Sequence, residues 1–206
     1  MHSLNPPTQT ALRAVYDHLL AHHGPQHWWP AGSRFEIMVG AVLTQNTAWI
    51  NVERAIANLK SARALRAEVI VKTHPGRLAK WLRLSGYFNV KTKRLRNFCR
   101  WFLDAGGDQS LRRMRTDALR QALLAVNGIG PETADDILLY AFDRPVFVID
   151  AYTRRLFHRL DLLDGELPYE DLRANFETVL GPDAPLYNEY HALIVRHAKD
   201  ICRPKP

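Results

Sequence analysis

The sequence predicts an all-α protein, and three observations carry that prediction. Apolar residues return at helical spacing in segment after segment, as in Leu12, Val15, Leu19 and Leu20 near one end and Tyr190, Leu193, Ile194 and His197 near the other. Two such helices meet through Asn127-Gly128-Ile129-Gly130-Pro131-Glu132, where glycines permit a tight turn and proline suits the first position of the helix that follows. The segment Val146-Phe147-Val148-Ile149 then crosses the core to another helix start at Asp150. With 206 residues, 47% of them hydrophobic, the chain can bury a core in one domain or in two closely packed lobes.

Composition narrows the partners. The net charge is +7, and 21 of the 28 basic residues are arginine, which favours a polyanionic partner. Cys99 and Cys202 do not make a disulfide framework. No signal-peptide pattern opens the sequence and no apolar run reaches membrane-spanning length. The expectation is a soluble cytoplasmic protein, nucleoid-associated in a prokaryote, with no membrane partner.

Residues 1–7 read as a disordered lead, and 11–23 as an amphipathic helix. The loop that follows holds His22, His23 and His27, which lack partners at metal-ligand spacing and read as surface groups. It also holds Trp28-Trp29-Pro30. Adjacent tryptophans cannot both sit on one periodic core face, so clamping the lobes together and a role outside the core are both open. Residues 35–43 form a strongly buried helix ending in Thr44-Gln45-Asn46-Thr47-Ala48-Trp49, with Thr47 placed to cap the next helix, through Leu59. Such a polar ending usually marks where a core helix reaches the surface.

Residues 61–84 read as shorter helices, one opened by Pro75 and carrying Leu78, Trp81 and Leu84. Gly86 reads as a helix C-cap. Asn89, Lys91 and Lys93 then give the start of a helix to Asp104 a positive character suited to phosphates rather than bases. Thr116 is placed as the N-cap of a helix bearing Leu119, Leu123 and Leu124. The helix after the hairpin buries Ala134, Ile137, Leu138 and Ala141. Unpaired N–H groups at its N-terminus suit a phosphate. This is a helix-hairpin-helix. Asp150 N-caps a helix with Tyr152, Leu156, Phe157 and Leu160 inward. Beyond the loop 164–168, residues 169–180 and 185–201 are further helices.

Gly-Ile-Gly-Pro-Glu-Thr-Ala-Asp from Gly128, followed by Pro-Val-Phe-Val-Ile-Asp from Pro145, resembles the helix-hairpin-helix/Gly-Pro-Asp superfamily of DNA glycosylases, of which endonuclease III is a branch. The resemblance covers roughly residues 28–199. It implies a two-lobed fold: a central bundle at 35–141, a second lobe from 1–34 and 142–206, and a substrate cleft between them. It implies a monomer acting on double-stranded DNA that contains a damaged base. Gln45 matches the residue that fills the gap left by an extruded nucleotide, and Tyr87 the residue that wedges into the duplex. The hairpin residues Gly128, Ile129 and Gly130, with Asn89, Lys91 and Lys93, would hold the backbone. Arg112, Arg113 and Arg115 fit DNA contact and solvated surface equally.

The matching motif makes Asp150 the catalytic aspartate. Breaking an N-glycosidic bond passes through an oxocarbenium-like state, which a nearby carboxylate stabilises electrostatically. Bifunctional relatives carry a lysine two residues after the second hairpin glycine; here Glu132 stands there, and a carboxylate cannot form an imine. No lysine occurs between Lys93 and Lys199. The expectation is a monofunctional glycosylase in which Glu132 orients water or faces solvent. One cysteine near the C-terminus cannot hold the four-thiolate iron–sulfur cluster of many relatives, so no cofactor is expected. A structural Na+ or K+ on the carbonyls of Leu124, Val126 and Ile129 is implied by resemblance.

Trp28-Trp29-Pro30, Leu-Thr-Gln-Asn-Thr followed by Trp49, and Gly-Ile-Gly-x-Glu most resemble the 3-methyladenine DNA glycosylase III branch. Trp28, Trp29 and Trp49 would then sandwich the flipped base, and electron-rich indoles attract a cationic alkylated purine. The alternatives are a glycosylase for mismatched thymine or oxidised purine on the same scaffold, and a non-catalytic helix-hairpin-helix module, which would not need Asp150.

Overall fold

The computed structural model describes residues 7–29 and 31–204, and among these it is helical with no strand, an all-α fold. In chain order the helices are α1 (Gln9–His23), α2 (Arg34–Thr44), α3 (Trp49–Ser61) and α4 (Ala67–Lys72). They continue with α5 (Pro75–Leu82), a 3-10 turn at Arg83–Ser85, α6 (Phe88–Asp104) and α7 (Gly107–Arg113). Next come α8 (Thr116–Leu124), α9 (Pro131–Asp136) and a π-helical segment at Ile137–Ala141. The last are α10 (Ala151–Arg159), α11 (Tyr169–Leu180) and α12 (Ala184–Asp200). The chain divides into two compact units, Ala31–Phe142 and a unit made of Met1–Pro30 with Asp143–Pro206.

The unit at Ala31–Phe142 is built around α2. Ser33 accepts a hydrogen bond from Glu36 N at 3.2 Å, while the Glu36 carboxylate accepts one from Gly32 N at 3.1 Å, a reciprocal cap that fixes where the helix starts. Met38, Val39, Ala41, Val42 and Leu43 are all buried, so α2 is covered on most sides, by α3, α6 and the π-helical segment. Around α6, the shorter α4 and α5 close the other side. Arg120 on α8 ties the unit to α9 by two bonds to Asp135, at 2.7 and 3.0 Å, with Asp135 fully buried.

In the unit made from both chain ends, α12 packs against α1 and α10, and α11 packs against α1. Its core is aromatic: Phe147 stacks on Phe176 with ring centroids 4.2 Å apart, and Phe157, Tyr187 and Tyr190 meet them edge-on. Tyr190 is fully buried because its hydroxyl has a partner, the Leu12 carbonyl at 2.7 Å. Asp183 caps α12 through Leu186 N at 2.9 Å.

Several sequence expectations are corrected. Residues 1–6 of the expected lead lie outside the described residues, as does Pro30, while Pro7 is buried. Arg115, not Thr116, is the N-cap of α8, and Ala48, not Thr47, that of α3; neither cap uses a side chain. Leu84 is 49% exposed because the 3-10 turn breaks the α5 register, so Leu82 faces the core instead. Leu160 is 45% exposed, lying past the last turn of α10. The short α7 was not foreseen in the sequence.

Candidate active site and nucleic-acid interface

The stretch from Val146 to Asp150 is non-helical and buried. Glu177 accepts from Phe147 N at 2.9 Å, holding the segment against α11 as it enters α10. Asp150 is the N-cap of α10. Its Oδ1 accepts from Thr153 N at 2.7 Å and from Thr153 Oγ1 at 2.9 Å. Its Oδ2 lies 3.4 Å from His191 Nε2, a side chain supplied by α12. Burial works to raise the Asp150 pKa, but His191 and the two Thr153 bonds outweigh it and hold the group below the ordinary carboxylate value. The result is a buried, ionised and fixed carboxylate at a helix N-terminus.

In the same unit, Trp28 and Trp29 meet edge to face with centroids 6.0 Å apart, and both are half-buried. Lys199 Nζ stands 5.6 Å from the centre of the Trp28 ring. Trp49 belongs to the other unit, at the first position of α3. It is half-buried, with its indole N–H donating to Glu53 at 2.8 Å.

Only Gly128 in the hairpin needs a glycine for its backbone, at φ +102°; Gly130 is extended at φ −94° and caps α9, so of the two glycines expected to make the tight turn only the first requires its freedom. Ile129 is buried and its N–H donates to Val126 O at 3.0 Å, so its side chain and amide anchor the hairpin and do not reach outward. Of the named DNA-facing residues in the hairpin, the glycines remain at the surface: Gly130 is exposed and Gly128 half-buried. Glu132 is exposed in the first turn of α9.

Gln45 is placed differently from the expectation of an outward probe. Its Nε2 donates to Gly128 O at 3.0 Å and to Thr133 Oγ1 at 2.9 Å, and its Oε1 accepts from Arg94. The amide is fully engaged because α2 ends one residue earlier, directing the side chain onto the hairpin. Tyr87 does face outward, 72% exposed in a left-handed conformation at φ +44°. Asn89 and Lys93 are exposed on the first turns of α6.

Lys91 is the clearest correction. It is 1% exposed, and its ammonium donates to Leu43 O at 2.8 Å and to Ser85 O at 2.5 Å, so it cannot hold a phosphate. Helical spacing puts it on the inner face of α6 while Lys93 points out. Burial, then the charge of Arg94, push its pKa down to about 8 from 10.5. The unfolded chain therefore binds more protons than the folded one as pH rises from about 8 towards 10.5, so this group's contribution to stability rises across that window. Lys91→Met should lower Tm and remove that rise while leaving duplex affinity little changed. Lys93→Ala should do the reverse. Thermal melts against pH, with binding titrations on the same variants, check both.

Three groups escaped the sequence reading: His191, Lys199 and Arg94. Each lies in a helix whose apolar periodicity reveals the core and says nothing about which polar residue turns inward. Among the described residues, no cluster of three His, Cys, Asp or Glu could hold a metal ion, and no helix is long and apolar enough to cross a membrane.

A hairpin followed by a buried, ionised aspartate at a helix start defines a class. The chain belongs to the HhH-GPD superfamily of base excision DNA repair proteins, whose family model matches residues 39–182. It is thus a DNA glycosylase of base excision repair. It is 45% identical over 194 residues to a putative DNA repair glycosylase of Methanocaldococcus jannaschii, covering 93% of this chain and 88% of that one. Among solved structures it is similar to the H. pylori 3-methyladenine DNA glycosylase bound to 1,N6-ethenoadenine. There the TM-score is 0.77 and the identity 32%, over 93% of this chain and 95% of that one. An endonuclease III–DNA complex shares the fold at TM-score 0.82 and 16% identity, over 97% of this chain and 89% of that one.

Proposed function

We propose that this chain is a monofunctional glycosylase that flips alkylated purines, foremost 3-methyladenine, out of duplex DNA and removes them by hydrolysis. The observation that carries the reading is the buried and ionised Asp150, held by Thr153 and His191, in a chain with exposed Glu132 where a Schiff-base lysine would stand. As the N-glycosidic bond breaks, its electron pair leaves with the base and neutralises the positive charge that alkylation put there. Positive charge then develops on the sugar, where the Asp150 carboxylate stabilises it; water adds to C1′ and gives up one proton to the solvent. A cationic base is already a good leaving group, so no strong general acid is needed.

Substrate choice is supported by the likeness at 32% identity to a 3-methyladenine glycosylase and by the tryptophans. Trp28, Trp29 and Trp49 would stack on the flipped base, with a cation–π attraction of about 0.5–2 kcal/mol. Tyr87, exposed and ahead of α6, would enter the duplex, while Asn89, Lys93 and the glycines of the hairpin would hold phosphates. On this reading no iron–sulfur cluster takes part, since the two cysteines of this sequence fall short of the four thiolates one needs. A monovalent cation on the carbonyls of Leu124, Val126 and Ile129 would be structural.

The test is release of 3-methyladenine from methylated duplex DNA, followed by borohydride treatment. Free base should appear, abasic strands should stay uncut, and no covalent adduct should be trapped. A trapped band would refute the hydrolytic reading. Failure to release any alkylated base, with thymine released from a mismatch, would move the specificity to that alternative.

Trp29→Ala or Trp49→Ala should weaken 3-methyladenine excision about ten-fold or more, from lost stacking and cation–π energy. Tm should move less, since both residues are only half-buried. Affinity for undamaged duplex, set by phosphate contacts, should barely change. Activity falling only in proportion to Tm would assign the tryptophans to packing.

A further inference from the structure

We infer that His191 is a positioning residue for Asp150, gripping the carboxylate oxygen that Thr153 leaves uncovered and so fixing the plane of the carboxylate. The inference rests on the reading of Asp150 as the group that stabilises the sugar cation. Thr153, three residues along the same helix, takes Oδ1 alone, with both its N–H and its hydroxyl. A carboxylate held by one oxygen can still turn about its last side-chain torsion, where preferences are broad. Oδ2 is met from a different helix, by His191 Nε2 at 3.4 Å, and the two side chains are only 7% and 12% exposed. His191 therefore supplies the second point that defines an orientation, and it does so where water is largely excluded.

The titratable groups acting on Asp150 are His191 from α12 and, two residues along α10, Tyr152. Burial and then the Asp150 charge raise the Tyr152 pKa, so the phenol stays neutral. Arg154 turns to the carbonyls of Gly165 and Leu167, and Arg155 to those of Ala198 and Cys202. A donor at position 191 thus serves two ends. It aims the carboxylate, and it favours the ionised form that burial alone would disfavour.

The test compares His191→Gln, which keeps a side-chain N–H donor, with His191→Met, which keeps size and loses it. Asp150→Asn serves as reference. Single-turnover release of 3-methyladenine from methylated duplex is followed from pH 4 to 9 beside Tm and duplex affinity. H191M should lose about ten- to a hundred-fold in rate, the scale of a misplaced reacting group, with affinity unchanged. Its acid limb should move to higher pH, because without the histidine the Asp150 pKa rises and the carboxylate protonates sooner. H191Q should recover most of the rate at neutral pH. Equal rates in the two variants, or an acid limb that stays in place in H191M, would overturn the role. Near-normal turnover by D150N would instead overturn the reading of Asp150 itself, whatever position 191 does.

Discussion

Asp150→Asn should lower the rate of base release by on the order of a thousand-fold or more, while the protein still folds and still binds DNA containing an abasic site. The asymmetry follows from the two jobs that the proposed function gives this side chain. As an N-cap it needs only an oxygen to accept from Thr153 N, and an amide oxygen does that. As a stabiliser of positive charge it needs a full negative charge, and an amide has none. The charge is also what His191 faces. The substitution should therefore alter the acid side of the stability profile. In the wild type the folded pKa lies below the ordinary value of 3.8, so the pair's contribution is present above that value and is lost as pH falls through the folded pKa. D150N should be flatter there. Single-turnover excision, abasic-site binding and acid melts on one preparation decide the matter, and turnover near the wild-type rate would remove Asp150 from the chemistry.

The largest effect on stability is expected at Arg120. Its guanidinium lies across both oxygens of Asp135, and the side chains are 10% and 0% exposed. Arg120→Ala leaves a carboxylate in the interior without that guanidinium, at a cost of about 3–5 kcal/mol, against roughly 0–1 kcal/mol for a surface pair. In a chain of this size, that corresponds to a fall in Tm of roughly 6–20 °C. Removing both charges together, as Arg120→Met with Asp135→Leu, should restore part of the loss, because buried pairs owe much of their apparent value to the harm done by breaking them. A loss below about 1 kcal/mol in the single variant would mean that solvent reaches the pair.

Helix positions were legible because burial leaves a mark: the inward residues of α3 and α8 follow the 3.6-residue period, α2 reads as an unbroken apolar run, and Asp150, Pro75 and Pro131 announce helix starts by their own chemistry. What stayed hidden depends on partners distant in sequence. Lys91 and Lys93 look alike in the sequence, yet one lies under the end of α2 and the other faces solvent. Gln45 meets residues 83 and 88 positions away. The Asp150 motif is local, whereas His191, on α12, reaches it only through tertiary packing. The break to π geometry at Ile137–Ala141 had no marker either, since Ile137, Leu138 and Ala141 are buried in both geometries.

The hairpin glycine at 128 imposes a demand on mutagenesis that its backbone angle alone would not. A methyl group added there would press on the Arg94 Cγ and come within 3.0 Å of its Cβ, the stiff base of the side chain and not its movable tip. Arg94 is also what grips the Gln45 amide oxygen. A library that varies position 128 therefore samples the setting of Gln45 as well. Substitutions at 128 and 45 should behave non-additively in double-mutant cycles, although the residues never need to touch side chain to side chain. Anyone retuning the hairpin for a different grip on DNA has to redesign 45, 94 and 128 as one mechanical part.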